Sequence, residues 1–457
     1  MNINDLHTVY FIGIGGIGMS ALARYCNHIG MRVSGYDRTA TNLTDALIQE
    51  GIEVHFEDDV AAVPKNAQLV VYTPAVSANH NELNYCRNNG FVVKKRAEAL
   101  GYITQNCFTI AVAGTHGKTT VSSMIAHLLK SSGYDCTAFV GGIMANYNTN
   151  FLLGNNNVVV VEADEYDRSF LHLIPDVAVV TATDADHLDI YGSAAAITET
   201  FELFAKQVKN DGLLVVQHDL ELKRLEKEKT LKSYSLSDKT AASVVVNFEA
   251  NNKQYVFDML LDEMFCEKVI LNMGGKHNVE NALAAATVAK YLGITAEDIK
   301  KGLQTFKGIK RRFEYQIDTE NLVMIDDYAH HPTEINALMG SVKQRYPNKH
   351  VTIVFQPHLY SRTRDFADGF AESLSNADRV MVLDVYPARE LPIKGVNAKM
   401  LFDKITIKDK YWCEKSNLLQ WVDNQSFEVL VVAGAGDIDK LVEPIKNILI
   451  KKYEMTV

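Results

Sequence analysis

The segment "VAGTHGKTTVSSM" places Gly114, Thr115, His116, Gly117, Lys118, Thr119 and Thr120 after a β-branched apolar run, "CFTIAVA", and before a stretch whose apolar spacing predicts a helix. Such a turn aims backbone N–H groups and the positive end of a helix at phosphate oxygens. Lys118 can reach the terminal phosphates, and the Thr119 hydroxyl can ligate an accompanying magnesium ion. The strict G-x-x-x-x-G-K-[ST] spacing is not met, because Val112 stands at the first glycine position. The plainer alternative, a turn glycine followed by a solvated lysine, is disfavoured by the strand-turn-helix context.

A second turn, "FIGIGGIGMS", carries Gly13, Gly15, Gly16, Ile17 and Gly18, and Asp37 closes the next apolar run. Taken alone, G-x-G-x-x-G followed by an acid points to NAD and a dehydrogenase. What the fingerprint reads physically is a diphosphate, so a different diphosphate ligand fits it equally. Beyond the first turn, "VVVVEADEYDRSFL" ends a buried run in Glu162, and "TATDADHLDIYG" ends the next in His187. Ligands of parallel sheets gather beyond the carboxyl ends of strands, so Glu162 is a candidate magnesium ligand there, and His187 arrives at the same edge. Asp164, Glu165, Asp167, Asp184, Asp186 and Asp189 read as acids of solvated turns.

These groups need strands to end where they stand. Apolar runs such as "TVYFIGI", "QLVVYTPA" and "DVAVVTAT" alternate with helical patterns, which predicts parallel strands with crossover helices. The 457 residues allow several cores. Two strand-turn-helix starts and a later alternation predict an α/β chain of three domains: 1–106 Rossmann-like, 107–310 P-loop ATPase-like, and 311–457 Rossmann-like. Residues 242–273 lack helical spacing and suggest a small antiparallel addition. A net charge of −10 with dispersed basic residues argues against nucleic acid. Six scattered cysteines without a C-x-x-C pair suit a reducing cytoplasm, and no apolar stretch is long enough for membrane insertion.

The ordered set "GTHGKTT", "EADEYDRSFL", "DADHLDIYG", "GKHNVENALAAATVA", "GIKRRFE", "DDYAHHPTEI", "FQPHLYSRTRDF", "YPARELPI" and "VAGAGDI" resembles the Mur ligases, and within them the alanine-adding branch. The resemblance spans about residues 7–440, and its specificity lies in the combination. It implies that the N-terminal turn holds a UDP-sugar, UDP-N-acetylmuramate, through Gly13, Gly15, Gly16, Ile17, Gly18, Asp37 and Thr73. ATP is implied at 114–120, with His277, Asn278 and Asn281 at the adenine end and Asp327 on the ribose. Mg2+ is implied on Thr119, Glu162 and His187.

The same resemblance makes Lys118, His187 and Arg312 the catalytic set, and Tyr328, His330, His358 and Arg362 the seat of L-alanine. ATP would phosphorylate the lactyl carboxylate of the sugar, and the alanine amine would displace phosphate from that acyl phosphate, in peptidoglycan synthesis. Some sibling ligases have a carbamylated lysine after the "DH" histidine; "AAITETFELFA" has no lysine, so no carbamylation is expected. Leu359 stands where many relatives have arginine, which puts that flank of the alanine site in question. His331 is as readily a capping residue. A tripeptide-joining ligase for the same sugar and a nucleotide-binding regulator without turnover are the alternatives, and a monomer–dimer equilibrium is allowed.

Overall fold

The computed structural model describes residues 3–184, 191, 193–227, 229–250, 254–388 and 390–454. Thr8–Ile12 is buried at every position, as a parallel strand covered on both faces must be. It lies in the middle of five parallel strands, in the order Glu53–His55, Arg32–Tyr36, Thr8–Ile12, Leu69–Tyr72, Val93–Lys95. The chain fills one side of Thr8–Ile12 and then the other. A crevice therefore opens past the carboxyl end of that strand, where Gly13–Gly18 begins.

A second sheet of ten strands is built around Phe108–Ala113, which pairs in parallel with Val158–Glu162 on one side and Val177–Val180 on the other. Leu213–Gln217, Thr230–Ser235 and Ser243–Ala250 extend it in parallel. Tyr255–Leu261 and Met264–Leu271 then close that side as antiparallel strands. The antiparallel addition expected within 242–273 thus continues the main sheet directly. At the opposite edge Thr137–Met144 and Thr149–Leu152 form an antiparallel pair, which alternation alone did not signal. The third sheet runs Glu314–Asp318, Val323–Asp327, Val429–Ala433, Val351–Phe355, Arg379–Leu383, Lys410–Cys413, parallel except for its first strand.

The chain divides into two compact units: Met1–Asn272 with His277–Lys307, and Met273–Lys276 with Gly308–Val457. The first unit holds two sheets over one continuous apolar cluster, from Val9 and Phe11 to Phe139, Val161 and Phe204. Polar pins cross inside it. Arg24 donates to Asn150 Oδ1 at 2.5 Å and pairs with Glu50 at 2.8 Å, while the fully buried Asn150 donates to Ser20 Oγ at 3.0 Å. Among the described residues no helix is long and apolar enough to cross a membrane.

Candidate active site

The N-terminal turn is held shut from below. Gly13, at φ +86°, and Ile14 both donate their N–H groups to Tyr36 O, at 2.7 and 2.9 Å. A Cβ at Gly13 would stand 2.5 Å from Thr73 Cγ2, so Thr73 packs directly on the turn. The helix Ile17–His28 starts at Gly16 with no side-chain cap, which leaves first-turn N–H groups for an anion. Asp37 follows the strand Arg32–Tyr36, as expected, but its Oδ2 accepts the Gly15 N–H at 2.7 Å. Its carboxylate thereby closes the turn.

A cavity of about 260 Å³ joins this turn to the second sheet, bounded by Gly16, Gly18, Thr73, Arg96, Gly141, Glu162 and Asp164. Arg96 was not read from sequence. It opens the helix Arg96–Thr104, its guanidinium lies 3.0 Å from where a Gly18 Cβ would be, and it pairs with Asp164 at 3.3 Å. Glu162 ends its strand at this cavity and accepts the Gly141 N–H at 2.9 Å. A Cβ on Gly141 would come within 2.4 Å of Glu162 Oε1, so a glycine there makes room for the carboxylate.

In the second turn Gly114 and Gly117 adopt φ of +138° and +81°, and the helix Lys118–Ser131 follows. Left-handed backbone of this kind is what glycine supplies at no steric cost. Thr115, Thr119 and Thr120 are buried, and His116 is exposed near Asp184, at 3.8 Å. Lys118 donates to Gly114 O at 2.6 Å and meets both carboxylate oxygens of Glu165, at 2.9 and 2.8 Å. Burial pushes the Glu165 carboxyl up and Lys118 opposes that shift. Asn281 lies under the turn, 2.7 Å from where a Gly117 Cβ would be, and donates to Asn278 Oδ1 at 3.1 Å. The helix Lys276–Tyr291 thus brings Asn281, with Asn278 bonded to it, beside the loop, and His277 precedes them on the same helix. His187, like Asp186 and Asp189, lies outside the described residues.

The second unit gathers its own cluster at strand ends. The His330 ring stands 5.2 Å from that of Tyr328 and 5.9 Å from that of His358. Tyr386, of "YPARELPI", stacks on His358 at 5.8 Å. Burial lowers the His330 pKa, with Glu334 opposing and the nearby Arg362 charge adding to the shift. Arg362 Nη1 is buried without a hydrogen-bond partner among the described residues. Leu359, between His358 and the helix Tyr360–Asp365 that carries Arg362, takes φ +69°, an unusual backbone for a branched side chain.

His331 is the N-cap of Pro332–Arg345, in a capping box with Glu334. Arg312 is exposed, whereas its neighbour Arg311 is the built-in cation: it donates to Gly434 O, pairs with Asp326 at 3.3 Å and lies over Tyr328. Burial lifts Asp326 to about 7 despite Arg311. Asp327 is lifted to about 6 by burial, while the Phe313 and Ala329 N–H groups it accepts, at 2.7 and 2.8 Å, oppose the shift.

Against known proteins, the profile described as the Mur ligase family catalytic domain matches residues 8–107, the Mur ligase middle domain 112–289, and the Mur ligase glutamate ligase domain 311–436. The chain belongs to the Mur ligase family. This Mur ligase is 49% identical over 453 residues to the UDP-N-acetylmuramate–L-alanine ligase of Flavobacterium johnsoniae, covering 98% of this chain and 99% of that one. It is 50% identical to the protein of the same name in Flavobacterium psychrophilum, covering 99% and 100%. The crystal structure of UDP-N-acetylmuramate-alanine ligase MurC from Thermotoga maritima superposes with a TM-score of 0.82 at 28% identity, over 98% of this Mur ligase and 99% of that chain.

Proposed function

We propose that this Mur ligase joins L-alanine to the lactyl carboxylate of UDP-N-acetylmuramate, consuming ATP and releasing ADP and phosphate. The observation that carries the reading is the cavity that puts an uncapped glycine turn and the strand-end carboxylate Glu162 on one space. The curated relatives named for this reaction support the choice of substrates. Residues 1–106 take the UDP-sugar, 107–310 take ATP and 311–457 take the amino acid, in the cytoplasm.

The carboxylate must first lose its charge to become an electrophile. Transfer of the γ-phosphoryl to it forms the acyl phosphate, and attack by the alanine amine forms the amide and expels phosphate. The protein's task is to hold two anions together. Gly13–Gly18 and Thr73 receive the sugar's diphosphate. Lys118, with the N–H groups of 114–120, faces the nucleotide's phosphates, and Asn278 and Asn281 serve its base. Glu162, cradled by Gly141, and the buried Thr119 hydroxyl suit magnesium, which when bound would neutralise phosphate charge. Family resemblance assigns His187 to a second magnesium, Arg312 to a place over the bound ATP and Asp327 to the ribose. Arg362, with its unmatched Nη1, suits the alanine carboxylate, with Tyr328, His330 and His358 around it.

Phosphate release from purified protein tests this. It should require ATP, magnesium, UDP-N-acetylmuramate and L-alanine together. Release with alanine but no UDP-sugar overturns the reading, and a preference for a tripeptide over alanine moves it to the peptide-joining ligases.

A further inference from the structure

The loop 162–168 crowds carboxylates beside a phosphate turn, and each of three has its own cation. Asp164 pairs with Arg96 at 3.3 Å, Asp167 with Lys95 at 2.6 Å and Glu165 with Lys118 at 2.8 Å. Arg96 and Lys95 come from the first sheet's domain. Only Lys118 belongs to the turn that would receive phosphates. Glu165 is 2% exposed and held firmly: Tyr191 donates its hydroxyl to the Glu165 carbonyl, and Asp167 and Arg168 continue in left-handed backbone at φ +53° and +55°. With Glu165 fixed, Lys118 is drawn back onto the Gly114 carbonyl at 2.6 Å.

We propose that Glu165 is a positioning residue that competes with nucleotide phosphates for Lys118: it holds the ammonium between turnovers and reclaims it as ADP leaves. This rests on the reading of 114–120 as the ATP turn. Arriving phosphates must take Lys118 from a buried carboxylate, so part of their attraction is spent on that exchange. The same carboxylate makes ADP easier to release. Nucleotide affinity is thereby held below what the turn alone would give, and release is kept fast.

Calorimetry with ATP and with ADP, on the full-length protein, tests it. Glu165→Gln should tighten both dissociation constants by on the order of tenfold, the size of one charge-assisted hydrogen bond, and leave UDP-sugar affinity unchanged. ADP should inhibit turnover correspondingly better, and kcat and KM for ATP should fall together as product release slows. Glu165→Asp, one methylene short, should shift the constants the same way by less, and decides the matter if the glutamine variant does not fold. Unchanged or weaker ADP binding in either folded variant, with only a lower Tm, overturns the proposal and leaves Glu165 a structural partner. Lys118→Ala separates the underlying reading: if it binds ATP as wild type does, the turn is not the ATP site.

Discussion

On the proposed reading Lys118 meets charge that builds as the γ-phosphoryl leaves ATP, so Lys118→Ala should lower kcat by roughly a hundredfold or more while UDP-sugar affinity stays near wild type. Steady-state rates beside UDP-sugar calorimetry check this. A second prediction concerns protons. Asp326 and Asp327 would titrate near 4 when unfolded, yet folded they sit at about 7 and about 6. The native state therefore keeps protons that the unfolded chain gives up, and these groups withdraw stability as pH rises from about 4 to 7. Denaturation midpoints across that range should fall less steeply for Asp326→Asn than for wild type; equal slopes would refute the assignment. Residue types were legible where chemistry restricts the choice: Lys118, Glu162 and His358 stand at strand ends or just after the turns that follow them, and Arg362 in the short helix Tyr360–Asp365 beyond. Arg311 was missed because two adjacent arginines look alike until the backbone turns one inward. Glu165 was read as a solvated turn acid because its burial depends on Lys118, 47 residues earlier.

At the scale of elements, the proposed function gives the two glycine turns different ligands. A Cβ at Gly15 would lie 2.7 Å from Thr44 Cγ2 and 2.8 Å from Asp37 Oδ2, so Gly15→Val should open the first turn and weaken UDP-sugar binding, with ATP binding nearly intact. Calorimetry that finds the opposite pattern would reverse the two assignments. Gly141→Ala should push Glu162 aside and raise the magnesium concentration for half-maximal rate, which a titration of rate against metal reads directly. The diphosphate fingerprint was readable from "FIGIGG", but its ligand was not. The turn's own hydrogen bonds look the same for any diphosphate, and Asp37 is spent on Gly15 N–H, which removes the acid as a guide.

At the scale of the whole molecule, the sharing of one apolar cluster by two sheets predicts that residues 1–272 with 277–307 melt as one cooperative body, with the second unit separable. Differential scanning calorimetry should show the UDP-sugar raising the transition of the first unit. Arg24→Ala, which strips Asn150 of a buried partner, should lower that transition by about 1–3 kcal/mol of stability. The three α/β sheets followed from alternating apolar runs, whose parallel strands need no long-range information to announce themselves. The edge pair Thr137–Met144 and Thr149–Leu152 stayed hidden because a strand's partner at a sheet edge is chosen by tertiary packing.

The border between the units is crossed more than once: Met273–Lys276 already belongs to the second, and the chain then returns to the first until Lys307. Gly274 lies against Phe313: a Cβ built on it would stand 2.7 Å from the ring. A gene fragment beginning at residue 308 would thus leave that ring bare. Recombination that exchanges the C-terminal unit between relatives would succeed only if the short segment around Gly274 travels with the C-terminal piece, so this unit is inherited as two stretches of sequence under one constraint.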